Sequence, residues 1–404
     1  MLRFVPIGEL GMGIDKAWIE KILYGLRAVP APLKSEKQGE AFHAALGDLQ
    51  DEAPEDDSIP TMATDATAEI VRVIDATLGT KKADNVAHDI LFGMKLLALL
   101  GQRAGVDCIL RAVRAGFEAD NWFWTIVFEP FGQGHPEAGH FFGELADPLS
   151  AEFIGIALLD TANEACREGD LERHPFDSET GVARLREYLT GETESYAHSA
   201  CGALPFIDHA DRDGLLEIAC KHADDGVRLE AAWVMAKLGR QEGFDAIARA
   251  CLNPNQATQA IHYLEEFGRE DLVPPPAREP DFVAMAEMCN WLSHPSESGE
   301  SPDAIELLDK RTIYWPPTGE TREMRIFKYR YEPNGDWREE ADEGVGLVGS
   351  TTFALFGETD PSMEPKDIYG RHCCWELRME EDDRVPEDGE NDAELGWRLI
   401  EAGP

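Results

Sequence analysis

The chain is short of positive charge: 37 lysine and arginine side chains stand against 78 aspartates and glutamates among 404 residues, a formal net charge of -41. A field of that sign repels a phosphate backbone rather than releasing its counterions, so nucleic-acid binding is disfavoured. Long apolar runs are missing as well. Met1-Leu2-Arg3-Phe4-Val5-Pro6 lacks the apolar stretch of a secretory leader, and nothing further on approaches the 18 or so uninterrupted apolar residues of a membrane helix. Neither secretion nor membrane insertion is expected. The eight cysteines, at 108, 166, 201, 220, 251, 289, 373 and 374, form no C-x-x-C pair and lie mostly among Ala, Leu and Ile. That usage suits reduced thiols packed as small hydrophobes in a cytoplasmic protein.

Signatures of chemistry are equally scarce. No serine has a G-x-S-x-G setting, and Gly11-Met12-Gly13 lacks the remaining glycines of a dinucleotide fingerprint, so it reads as a turn. No H-x-x-x-H pair occurs. His135, His174 and His294 each precede proline, which favours a turn with a polar tip. His88-Asp89 is the one His-Asp dipeptide, and no further ligands suggest themselves beside it. Read as an extended strand, His372-Cys373-Cys374-Trp375 would bring at most two ligands to one face. The expectation is no catalytic residue, no metal and no cofactor.

What the chain does have is helical periodicity. Residues 15–29 carry Trp18, Ile22 and Leu26 at four-residue spacing, and 37–49 carry Phe42, Leu46 and Leu49, which predicts an N-terminal helical pair. Residues 51–60 (DEAPEDDSIP) read as a solvated acidic linker. Two segments 138 residues apart, Leu100 to Ala112 and Leu238 to Ala250, share L-G-x-x-x-G-[VF]-D-x-I-x-R-A. Physically, a first helix ends at a glycine able to take the left-handed conformation, and a short polar link opens a second helix. The unit recurs more loosely from Tyr196 to Ala219, and another first helix runs through Ala260, Ile261, Leu264 and Phe267 to Gly268-Arg269. A period near 30 residues predicts stacked helical hairpins.

These lines, above all AAWVMAKLG followed by GFDAIARAC, resemble HEAT repeats. The resemblance covers residues 84–275 and implies helix pairs stacked into a superhelix whose inner surface meets partners. The di-iron hydroxylase built on HEAT-like repeats takes its ligands from repeated His-Glu dipeptides, of which this sequence has none. Between 120 and 190 the pattern departs into the aromatic run Trp122-Phe123-Trp124 and an irregular loop over 132–143.

Asp147-Pro148, Asn253-Pro254 and Ser301-Pro302 each place a capping side chain before a proline, predicting helices from about 148, 254 and 302. Pro274-Pro275-Pro276 stops the array along an extended path, and a helix over 281–292 caps it. Strand-like runs follow at 323–332, 346–357 and 368–379, with a turn at Pro333-Asn334-Gly335. Together they predict a small antiparallel sheet, one face against the helices, and then a mobile acidic segment over 380–394.

The expected protein is mainly α: a HEAT-like α-α superhelix with a smaller C-terminal antiparallel β-rich domain. Its divisions are an N-terminal helical segment and linker (1–60), the array (61–280), capping helices (281–310), the β-rich domain (311–380) and an acidic tail (381–404). Its expected work is non-catalytic, a scaffold in the cytoplasm for another protein, with a basic partner open to it by charge. Arg111, Arg114, Lys221 and Arg249 are the candidate partner-binding residues, as basic islands on the second helices. The alternatives are an enzyme using His294, Asp309 or His372 at the junction of array and sheet, and an acidic inhibitor of a basic protein.

Overall fold

The glycines that predict helix ends do end helices. Gly101, Gly239 and Gly268 all have φ between +62° and +75°, the left-handed region a residue with a Cβ adopts at a cost. They close α4 (Ala87–Leu99), α12 (Asp225–Lys237) and α14 (Pro254–Glu266), respectively. The computed structural model describes residues 16–51, 59–80, 86–333, 338–355, 359–386 and 391–404. The turn read at Gly11 to Gly13, most of the linker, Asn334-Gly335 and residues 387–390 lie outside these. The protein is mainly α with a small β part. It forms two compact units, residues 1–234 and 235–404, and the division falls within α12.

In the first unit, α1 (Lys16–Ala28) and α2 (Glu36–Asp51) form the N-terminal pair. They are followed by α3 (Ile59–Leu78), α4, α5 (Arg103–Arg114), α6 (Trp124–Phe128) and α7 (Ala138–Leu145). Then come α8 (Phe153–Glu168), α9 (Glu179–Thr190), α10 (Glu194–Ala203), α11 (Arg212–Cys220) and the start of α12. Two layers result. α2, α4, α6, α8 and α10 pack neighbour to neighbour in one; α1, α3, α5 and α7, and then α9 and α11, pack in the other. Each helix buries a stripe at three- and four-residue spacing, as Ala66, Ile70, Val73, Ile74 and Thr77 do on α3. Close approaches between helices fall on glycines: a Cβ on Gly93 would press on Phe42 and Ile74, and one on Gly105 on Leu97.

Asp147-Pro148 does not start a helix. Ser150 Oγ accepts the Glu152 N–H at 3.2 Å, which holds the chain in a turn until α8 begins at Phe153. Ser178 caps α9 by accepting the Gly181 N–H at 3.1 Å. Among the described residues, no helix is long and apolar enough to cross a membrane.

The second unit continues with α13 (Gln241–Ala250), α14 and α15 (Pro280–Leu292), then a sheet of β1 (Ala304–Trp315), β2 (Glu320–Tyr331), β3 (Asp342–Val348) and β4 (Phe353–Leu355). Asn253 caps α14 as expected. The prolines after α14 take a short 3-10 turn over Pro275–Arg278 rather than staying extended throughout. The sheet is antiparallel in the order β1-β2-β3-β4, with a bulge in β1 between Leu307 and Asp309.

Three local expectations are overturned here. Ser301-Pro302 opens no helix, because residues 304–315 alternate between exposed and partly buried at a period of two and pair with β2. Residues 368–379 are not a strand but most of α16 (Pro365–Met379). The alternation Cys373, Trp375, Leu377, Met379 is real, but so is the set Tyr369, Cys373, Leu377 at helical spacing. Burial favours the second: those three are buried, while Met379 is 70% exposed. Finally, the acidic tail holds α17 (Asp392–Ala402), anchored by the Arg378–Asp392 ion pair at 2.7 Å.

α16 also changes the expected layering, because both faces of the sheet are covered. Met324, Ile326, Val345 and Leu347 pack with Ile368, Tyr369, Cys373 and Leu377. On the other face, Phe327, Tyr329 and Tyr331 pack with Ala284, Met288 and Leu292 of α15.

Candidate functional site

The basic residues nominated from sequence are mostly occupied. Arg111 on α5 grips Asp75 of α3 with two guanidinium nitrogens, Nη2 to Oδ2 at 2.7 Å and Nε to Oδ1 at 3.2 Å. Arg114 pairs with Glu144 of α7, and Lys221 with Glu217 one turn back at 2.5 Å. Arg103 to Glu137 and His140 to Asp107, both 2.8 Å, add further ties between α5 and the α7 region. Thus α3, α5 and α7 are stitched by ion pairs of their own. Such exposed pairs contribute little stability each, but they neutralise the cations locally. Arg249, on α13, is exposed and forms no ion pair among the described residues.

The other layer carries a different surface. His43 from α2 stacks on Phe92 of α4 at 4.4 Å between ring centres, and on His88 at 5.5 Å. Phe123, just before α6, meets His88 edge-on at 5.5 Å, and Trp122 leans on Phe123 at 5.6 Å. Lys95 rides over Phe92 at 5.8 Å. The run Trp122-Phe123-Trp124 therefore splits: Trp124 is buried, its Nε1 donating to the Glu118 carbonyl at 3.0 Å, whereas Trp122 is 65% exposed.

Asp89 lies within this ladder. Its side chain is only 17% exposed, and one oxygen faces Gly39 so closely that a Cβ there would collide with it. His43 Nδ1 is 3.3 Å from Asp89 Oδ1 but off the line a hydrogen bond needs, and this buried nitrogen has no hydrogen-bond partner. Burial pulls the Asp89 carboxyl above its usual range against the opposing influence of His43 and His88, and Glu40 nearby adds to the rise. Two carboxylates beside exposed rings, Asp89 and Glu40, are a place where a foreign cationic donor gains contacts.

The sequence noted His88-Asp89 and the Trp122 run separately. It missed His43, which only the packing of α2 on α4 brings to them.

His294, Asp309 and His372 are not drawn together: no hydrogen bond joins any two. His294 Nδ1 meets Ser296 Oγ at 2.7 Å, and Asp309 accepts from Arg311 Nε at 2.7 Å. His372 is fully buried, with Nε2 2.9 Å from Glu376 Oε1 and 3.5 Å from Thr351 Oγ1, while Nδ1 has no partner. A hydroxyl–histidine–acid relay needs nucleophile and acid on opposite ring nitrogens. Here both address the same one, so the arrangement ties the sheet to α16 and does not build a nucleophile.

All eight cysteines are free. Burial pushes the thiols of Cys166, Cys251 and Cys374 up to about 11 and that of Cys289 to about 12, so they stay protonated at neutral pH. Among the described residues, no three His, Cys, Asp or Glu side chains come together as a metal site.

No protein-family model matches the chain, and no curated protein matches it either.

Proposed function

We propose that this chain is a HEAT-like helical-repeat scaffold that binds another protein through the α2, α4 and α6 layer of its first unit, and that the partner segment is basic. The observation that carries the reading is the opposite state of the two layers. Arg111 and Arg114 are spent on Asp75 and Glu144 within the α5 layer. The facing layer instead offers exposed rings beside the carboxylates of Asp89 and Glu40. Exposed aromatic side chains that still have unfilled contacts are typical anchors of protein interfaces.

Charge supports the basic partner. Acidic side chains outnumber basic ones by 78 to 37, so 41 negative charges would remain if every cation were paired. Complementary charge accelerates encounter and selects against acidic competitors. An inhibitor of a basic enzyme would be the same binding event with a different consequence.

Cross-linking in native cells, followed by affinity measurement with each purified candidate, tests the proposal. The expected result is a partner whose cross-linked segment is rich in Lys or Arg and maps to residues near His43, His88 or Trp122. Turnover of a small molecule by the purified chain, with no protein partner found, would reverse it.

A further inference from the structure

We propose that the ring ladder of α2, α4 and the turn before α6 is an arginine receptor, taking the guanidinium of the partner segment onto the open faces of Trp122 and His88. Asp89 and Glu40 supply the opposing charge. This inference rests on the basic-partner reading above and specifies the side chain that the layer recognises.

The chain itself repeatedly places a guanidinium over a ring. Arg167 covers Trp233 at 5.1 Å, Arg269 covers Phe244 at 5.2 Å, and Arg338 covers Tyr331 at 4.5 Å. Arg311 lies over Trp397 at 5.5 Å. Trp122 is the more exposed ring, yet no cation covers it among the described residues. An indole face is the strongest of the aromatic cation acceptors. The ladder therefore ends on an unused site of a kind that is filled elsewhere in the same molecule.

Two features favour arginine over lysine. The ladder has flat faces, with His43 lying 18° from parallel to both Phe92 and His88, and a planar guanidinium stacks on such faces as well as attracting them. Asp89 sits beside His43 with the Glu40 carboxylate close enough to add to its charge, and a guanidinium carries five N–H groups in a fixed fork suited to carboxylates. At the inner end, Lys95 already occupies the Phe92 face, which leaves the outer rings as the accessible end.

The test uses the full chain labelled with 15N at its tryptophan indoles, titrated with tetra-arginine amide and, separately, tetra-lysine amide. The indole signal lost in Trp122→Phe identifies the resonance. The expected result is a saturable shift of that resonance with tetra-arginine. By calorimetry, affinity should be about threefold weaker for tetra-lysine, for Trp122→Ala and for Asp89→Asn. If tetra-arginine binds in a salt-dependent way while the Trp122 signal stays still and Trp122→Ala binds equally well, the receptor is elsewhere and only the basic-partner reading survives. If neither peptide binds the wild-type chain, both fall.

Discussion

Trp315 Nε1 donates to Glu376 Oε2 at 2.9 Å, tying the end of β1 to the middle of α16. Ser350 Oγ gives to the same oxygen at 3.0 Å, and the other oxygen takes Thr351 Oγ1 at 3.2 Å and His372 Nε2 at 2.9 Å. One carboxylate, 8% exposed, thus satisfies four donors from three parts of the second unit. Removing it strands those donors in a buried place. Glu376→Ala is expected to lower unfolding stability by about 3 kcal/mol, read from the urea midpoint at pH 7. A loss below about 1 kcal/mol would show that the hub is dispensable.

The same carboxylate sets an acid limit. Burial alone would raise it, but hydrogen bonds from His372 and Trp315, and the charge of His372, hold it below the usual carboxylate range. Its contribution is therefore complete above the unfolded value of about 4.3 and fades as pH falls through the lower folded value. Urea midpoints compared at pH 5 and pH 3 should drop less steeply in Glu376→Gln than in the unaltered chain; equal slopes would contradict this.

His174 works in the same direction over a higher window. Burial at 1% exposure lowers its imidazole to about 3. The neutral ring meets Asn163 Oδ1 through Nε2 at 3.1 Å and accepts the Phe176 N–H on Nδ1 at 3.2 Å. The unfolded chain protonates near 6.5, so stability present above that pH is lost on acidification, at ~1.4 kcal/mol per pH unit. Imidazole 15N shifts at pH 5 should report a neutral ring protonated at Nε2. A charged ring at that pH would refute the assignment.

α17 docks on α16 through two glycines. A Cβ on Gly370 would run into the Ala393 carbonyl, and one on Gly396 into the Gly370 carbonyl. Backbone cannot yield as a flexible side chain does, so Gly370→Ala should cost more than about 2 kcal/mol. It should also speed amide exchange in 392–402; unchanged protection there would show that the helices can part without loss.

Much of this was legible in the chain and some was not, for reasons that particular residues make plain. Helix ends at Gly101 and Gly239 could be read because glycine takes the left-handed conformation without the steric cost a Cβ brings. The 372–379 segment could not, because Cys373 and Leu377 fit both periods and only their packing against β2 and β3 decides between them. Arg111 looked like a free cation for a similar reason. Its partner Asp75 lies 36 residues earlier, on a helix brought alongside by the fold. The proposed docking layer shares that property: His43, His88 and Trp122 come from three elements, and no local motif links them.

The proposed recognition of a basic segment by an acidic scaffold is tested most directly by the affinity of the purified partner at low and high salt. Exposed complementary charges are screened once the Debye length contracts from about 10 Å at 0.1 M to about 3 Å at 1 M. Binding is expected to be at least tenfold weaker at 1 M salt, with Trp122→Ala weakening it further at both. Binding that is indifferent to salt, or that survives Trp122→Ala unaltered with an acidic partner, would contradict it.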